Sequence, residues 1–580
     1  MASAGFLSEF PAVATEDWES AIGASVPGSD YSAKLIWHPE EGLVIKPYYR
    51  ADDIRALDFL AAAPGEFPYV RGSRSTADWR IREEIDDADP KEANRSALEA
   101  IAAGAEEISF SGIRVAGHPD LARVLANLES MPLRFEGLSR QSASMAADWL
   151  CTVSGAARVS ADLDPLADFE LSAELCCNFP KSRLLSFSAE EYEESGLGAT
   201  EQIALLLAAG VEFLEGMLQR GVDIASATAA LGFSLSIGPK FFLEIAKLRA
   251  FRLAWATVVQ SFDGDAESAK AVVYARTARW NETVYDPYVN LLRATTEAMS
   301  AVLGGADSIA VAPFDECYRK PDGASRTLAR NAQLLLKREA GLERVIDPLG
   351  GAYLIEATTH EIATKAWSLF QELEASGGYT KAGVEGRVDS IVQRRRAERN
   401  TAASERKLVM TGTNRFAKPR EEAVGRIEAD EADRIPRVAG AFEELRLRSE
   451  KAALKGRSLK ILLARFGDAK MSDARAQFAA DFLACAGLCA EVRLCATPSE
   501  FSEVDADLVV LCSSDQEYVQ FTEDLMLLLG QRNRRPQIAI AGNPKCAEDL
   551  KRLGVAEFIH LRSNACQVLA SLQKKLGIEG

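Results

Sequence analysis

Apolar and polar positions along this chain follow two successive patterns. From about residue 66 to 400, helical runs that end near a glycine lead into short apolar strands. Examples are "ANRSALEAIAAGAEEISFSG", "ARVLANLESMPLRFEG" and "ADWLCTVSGAARVSADLD", then "ATEQIALLLAAGVEFLEGMLQRGVDI" and "GFSLSIGPKFFLEIAKLRAFRLAWATVV". Sustained helix–strand alternation predicts a parallel β/α architecture. The span suits one (β/α)8 TIM barrel rather than two dinucleotide-binding units, because no GxGxxG opens a helix after a strand. Beyond residue 458 five apolar strands recur: "LKILLARF", "AEVRLCA", "DLVVLCS", "QIAIAG" and "EFIHL". Helical stretches such as "ARAQFAADFLACAG" and "QEYVQFTEDLMLLLGQR" lie between them, which predicts a flavodoxin-like doubly wound sheet. The fold class expected is therefore α/β: an N-terminal arm over 1–60, a barrel over 61–400, a charged helical linker over 401–457 and a sheet domain over 458–580.

Composition narrows the function classes. The formal net charge of -18 argues against non-specific binding to nucleic acid or an anionic membrane. No apolar run is long enough to span a bilayer. The first residues lack a basic segment followed by an apolar core, so no signal peptide is expected and a cytoplasmic location is. Of ten cysteines, six lie beyond residue 480. Cys485, Cys489, Cys495 and Cys512 fall on apolar segments and are expected as buried reduced thiols. The four histidines, His38, His118, His360 and His560, are isolated from one another, and no CxxC pair accompanies them, so no metal site is expected.

Three stretches make a family resemblance specific: "TVYDPYVNLLRATTEAMSAVLGGADSI", "FFLEIAKLRAFRLAW" and "LARNAQLLLKREAGLERVIDPLGGAYLIEATTHEI". With a barrel followed by a flavodoxin-like domain, the chain resembles the adenosylcobalamin-dependent methylmalonyl-CoA mutases from about residue 60 onward. "DPLGGAYLIE" is the strongest of its family signatures. The resemblance implies a radical isomerisation of (R)-methylmalonyl-CoA and succinyl-CoA. It also implies two kinds of chain: a catalytic large subunit and, in many bacteria, a small subunit of the same architecture without a working site.

The resemblance also assigns positions, residue by residue. Catalytic chains read Asp-x-His-x-x-Gly after the first strand of the sheet domain, where the histidine is the lower cobalt ligand and the aspartate orients it. Here those positions are Ala469, Met471 and Ala474, and an upstream lysine corresponds to Arg465. Met471 is expected as an apolar plug. Of the other cobalamin-contacting positions, Ser513 is kept, Asp515 stands where leucine is usual, and Gly542 is followed by Asn543 rather than a second glycine. In the barrel the Tyr-His pair of the substrate loop corresponds to Glu190 and Glu191, expected as solvated acids. The stretch from Arg71 and Gly72 to Trp79 is shorter than in catalytic chains and omits their tyrosine, and "VSADLDPLADFE" replaces the substrate segment. The expectation is a chain with no catalytic, cofactor-binding or metal residues of its own, adenosylcobalamin being held by the large subunit it pairs with. Two other readings stay open: a mutase chain active by itself with altered cobalamin contacts, and a stand-alone barrel protein that regulates or binds thioesters.

Overall fold

A computed structural model describes residues 13–26, 31–39, 41–113, 117–128, 130–137, 159–180, 182–428, 436–501, 505–530 and 535–578. Eight parallel strands close into a barrel in sequence order. They are β1 (Arg80–Ile85), β2 (Glu107–Ser111), β3 (Leu133–Glu136), β4 (Val159–Leu163), β5 (Arg183–Ser188), β6 (Leu231–Ile237), β7 (Val273–Thr277) and β8 (Ser308–Ala310). β1 pairs with β8 and closes the ring. The helix expected at the start of "ADWLCTVSGAARVSADLD" lies outside the described residues; its strand is β4.

The helices Ala199–Gln219, Phe241–Ser261 and Tyr353–Ala375 pack against one another outside the barrel. Their mutual burial accounts for the long apolar runs of the first two, which read as buried rather than amphipathic helices.

The "DPLGG" signature forms a clamp. Arg249, 1% exposed, pairs with Asp347 and, at 2.8 Å, with Glu356. Arg71, from the segment before β1, lies 3.3 Å from Asp347 and 3.8 Å from Glu356. The Gly351 N–H donates to Glu356 at 2.7 Å. A side chain at Gly350 would overlap the Arg71 guanidinium, which explains the glycine there. The signature thus ties the approach to β1 to two outer helices through charges that are buried only because they are paired.

The second sheet contains β9 (Ile461–Arg465), β10 (Ala490–Leu494), β11 (Leu508–Cys512), β12 (Gln537–Ala541) and β13 (Glu557–Ile559), in the order β10-β9-β11-β12-β13. This is the flavodoxin-like order, with its switch point between β9 and β11. One face packs on the helices Gly440–Leu454, Ala469–Ala484 and Ala565–Lys575, and the other on Tyr518–Leu529 and Ala547–Arg552. The linker is helical at its ends; residues 405–428 run through turns, and 429–435 lie outside the described residues. Cys485, Cys495 and Cys512 are buried as expected, but Cys489 is exposed. It enters β10, an edge strand whose residues 491–494 are all exposed, so its apolar surroundings in sequence do not become a core.

Candidate functional site

Barrels and doubly wound sheets both bind ligands at the C-terminal ends of their strands. The chain therefore offers two places for chemistry, the barrel mouth and the crevice at the β9–β11 switch point.

The barrel axis is filled. Tyr274 on β7 faces inward and is flanked by guanidinium groups from β3 and β1. Arg134 lies 4.3 Å and Arg82 5.9 Å from its ring centroid, a cation–π stack. Arg134 donates to Ser234 at 2.8 Å and Arg82 to the Ala275 carbonyl at 3.2 Å. Around this layer lie small buried serines, among them Ser109, Ser186, Ser236 and Ser308. A cavity of about 770 Å³ opens at the N-terminal end of the barrel and reaches Tyr274. A second, of about 370 Å³, opens at the mouth. The Arg82–Tyr274–Arg134 layer stands between them.

At the mouth, Arg276 Nε lies 3.0 Å from both oxygens of Glu84, and its Nη2 lies 2.8 Å from both oxygens of Glu316. Burial alone would raise the Glu84 carboxyl, but Arg276 and Arg279 hold it below its usual range. Glu282 lines the same cavity, is 2% exposed, and has one carboxyl oxygen with no hydrogen-bond partner. Burial first and Glu316 second push its carboxyl well above the usual range. Glu190 opens a short helix over Glu190–Ser195 and lines this cavity too. Burial and the nearby Glu136 raise its carboxyl. Glu190 is therefore a half-buried acid on a helix rather than a free loop acid, whereas Glu191 is exposed.

The crevice is filled from within the chain as well. Arg475, on the helix after β9, reaches across the strand ends. Its Nη1 donates to the Ser513 carbonyl at 2.5 Å and to the Tyr518 hydroxyl at 3.0 Å, and its Nη2 meets Asp515 at 2.5 Å. Tyr518 accepts the Ser513 N–H at 3.0 Å and donates to the Ala541 carbonyl at the end of β12. Gly542, with φ near +145°, sits directly beyond; a Cβ there would be 3.1 Å from Arg475 Nη1. Glu517 closes the other side. It accepts from the Ser514 hydroxyl at 2.6 Å and the Ser513 hydroxyl at 2.5 Å, and from the Asp468 N–H at 3.3 Å. Those serine hydrogen bonds hold its carboxyl down to about 2. A side chain at Gly467 would overlap this carboxylate.

The methylmalonyl-CoA mutase family model matches residues 38–113 and 166–479. The chain is 33% identical to a methylmalonyl-CoA mutase small subunit of Porphyromonas gingivalis, over 99% of this chain and 98% of that one. It is 32% identical to a small subunit of Streptomyces virginiae, over 98% of each. The chain belongs to the methylmalonyl-CoA mutase family. A Rhizobium meliloti methylmalonyl-CoA mutase is 31% identical, over 76% of this chain and 69% of its own.

Mutases of this family use adenosylcobalamin, and the residues at the crevice do not fit it. The helix expected to begin near Ala474 begins at Ala469, capped by Asp468, which accepts the Met471 N–H at 2.7 Å. Met471 is consequently 40% exposed on the first helical turn rather than an apolar plug. Ala469 and Ala474 are exposed on the same helix. Arg465 pairs with Asp473 at 2.9 Å. Ser513 and Gly542 are occupied as described above, and Asn543 is exposed. No imidazole is present at the crevice, and among the described residues no group of three or more His, Cys, Asp or Glu could hold a metal ion. In the barrel, Arg71 serves the DPLGG clamp, and Trp79 is buried with its indole N–H 3.2 Å from Gln333.

Sequence reading missed Arg475, Glu517, Tyr518 and the Arg82–Tyr274–Arg134 layer. One signal was present for Arg475. Ser472, Arg475, Ala476 and Ala479 share one helical stripe, three of them fully buried, and an arginine on a buried stripe needs a partner.

Proposed function

We propose that this chain is the non-catalytic small subunit of a heterodimeric, adenosylcobalamin-dependent methylmalonyl-CoA mutase. It supports the interconversion of (R)-methylmalonyl-CoA and succinyl-CoA by a large subunit that holds the cofactor and performs the chemistry. The observation that carries this reading is that the chain's own side chains close the sheet crevice and interrupt the barrel axis below its mouth cavity. The barrel axis is interrupted by Arg82, Tyr274 and Arg134, and the crevice is occupied by Arg475 and Glu517. A site of this kind admits neither a thioester along the barrel nor a corrin tail in the sheet.

Two further observations support a partner. The P. gingivalis and S. virginiae relatives include proteins called large subunits as well as small ones. The helix Thr15–Ser25 has no fully buried residue and meets the rest of the chain through Trp18 on Tyr48, and a helix of that length is marginal in water without further packing. In this reading residues 1–60 form an arm, 61–400 the mutase-like barrel, 401–457 the connection and 458–580 a vestigial cofactor domain. The protein works in the cytoplasm; among the described residues no helix is long and apolar enough to cross a membrane.

The test is co-expression with and without a mutase large subunit from the same genome. Equimolar co-purification, cobalamin absorbance only in the complex and no activity from the isolated chain are expected. One cobalamin per isolated chain, or mutase activity without the large subunit, would refute the reading.

A further inference from the structure

The absent imidazole accounts for a missing cobalt ligand. It does not account for Arg475 and Glu517. Each of these places a charged group over a glycine at the end of a strand, Arg475 over Gly542 and Glu517 over Gly467. Glycines at such positions leave room for a ligand to approach the backbone. Here that room is taken, and so are the polar groups that would greet a ligand. The Ser513 hydroxyl lies 2.7 Å from the Phe466 carbonyl and 2.5 Å from Glu517. The Ser513 carbonyl accepts from Arg475, and the Ser513 N–H goes to Tyr518. Arg475 itself is only 18% exposed and is paired with Asp515 at its outer end. The ends of β11 and β12 are thereby bridged through Tyr518, from the Ser513 N–H to the Ala541 carbonyl, and Glu517 joins the Asp468 N–H beyond β9 to the Ser513 and Ser514 hydroxyls beyond β11.

We infer that Arg475 and Glu517 form a latch that acts as a built-in ligand: it closes the switch-point crevice, holds its strand ends together without a cofactor, and excludes a nucleotide-like tail even when the cobalt-ligand positions are restored. This rests on the reading that the chain carries no cobalamin, and adds that the exclusion is steric and active rather than a simple loss of the ligand. Two effects follow from one structure. The latch gives the Ser513 carbonyl a donor in Arg475 and its hydroxyl an acceptor in Glu517, where an empty crevice would leave the carbonyl unpaired. It also occupies the space over Gly542 and Gly467, so a corrin tail could enter only by displacing two charged side chains from their partners.

The test uses the full-length chain. Hydroxocobalamin binding is measured by equilibrium dialysis and absorbance for the Ala469→Asp/Met471→His protein, with and without Arg475→Ala/Glu517→Ala, folding being checked by circular dichroism. The latched protein is expected to bind about tenfold less than the unlatched one. Equal binding by the two, whether strong or absent, overturns exclusion by the latch. Native-state hydrogen exchange supplies the second arm, in the milder Arg475→Lys and Glu517→Gln proteins, which retain a charge or a hydrogen-bonding amide. Amides over 466–472 and 513–518 are expected to exchange faster in both, with the outer barrel helices unchanged. Unchanged exchange at these amides overturns the strand-bridging role. A chain that fails to pair with any large subunit would refute the proposed function while leaving both latch comparisons readable.

Discussion

The barrel and the sheet each carry arginine where a ligand would pass, the barrel across its axis below the open mouth and the sheet at the C-terminal ends of its strands. They are filled in different ways. In the barrel the occupants are part of the core: Arg82, Arg134 and Tyr274 are each about 3% exposed or less, and they lie on strands that form the wall. In the sheet the occupants sit at the rim. Arg475 comes from a helix and Glu517 from the turn that caps the next one, and Glu517 is only partly covered. A filled core is a folding element, whereas a filled rim can be removed with the sheet left standing.

That contrast can be broken by mutation. The largest effect is expected outside both sites, at the DPLGG clamp. Arg249→Ala leaves the Asp347 and Glu356 carboxylates buried with half their partners gone, at a cost of about 3–5 kcal/mol in chemical denaturation. In the barrel, Arg134→Ala removes the hydrogen bond to Ser234 and one face of the Tyr274 stack, for about 1.5–3 kcal/mol. A rim-sized loss for Arg134→Ala would remove the distinction between the two fillings.

A third measurement follows stability against pH. Burial pushes the Glu297 carboxyl up to about 8, and Asn281 donates to it at 2.6 Å. A raised carboxyl stabilises most below its unfolded value near 4.5, and that contribution is lost as pH rises through 8. Glu297→Gln should flatten the decline of stability across that window. At the sheet rim the sign is opposite and the effect smallest. Glu517, held at about 2, contributes above pH 4.5 and loses that contribution as pH falls towards 2. Glu517→Gln should remove this acid-side slope and little else; a slope unchanged in the variant would mean that Glu517 does not hold the rim.

Much of the architecture was legible because strands and helices announce themselves by period. All five strands of the second sheet fall where their apolar runs lie, and the barrel follows the helix–strand alternation. The side chains that fill the sites were not legible, for a physical reason. In a barrel both faces of every strand are covered, so "RIREEI" and "VYART" show polar residues at alternate positions without saying whether they meet water or the axis. Glu190 misled in the same way: three acids in four positions suggest solvent, yet the first turn of their helix leans over the barrel mouth. Met471 misled through helix length. The cap at Asp468 starts the helix before the loop that the resemblance called for, and it carries the methionine outward.

The clamp of Arg71, Arg249, Asp347 and Glu356 has a bearing on how genomes are read. The motif is a statement about assembly of the polypeptide, its charges spent on one another. A gene that keeps "DPLGG" whole has declared its shape and said nothing of its trade. A catalogue of these genes sorted by what they do would have to be built on the residues that lie across the ligand places, Arg475 and Tyr274 among them, and not on the signature.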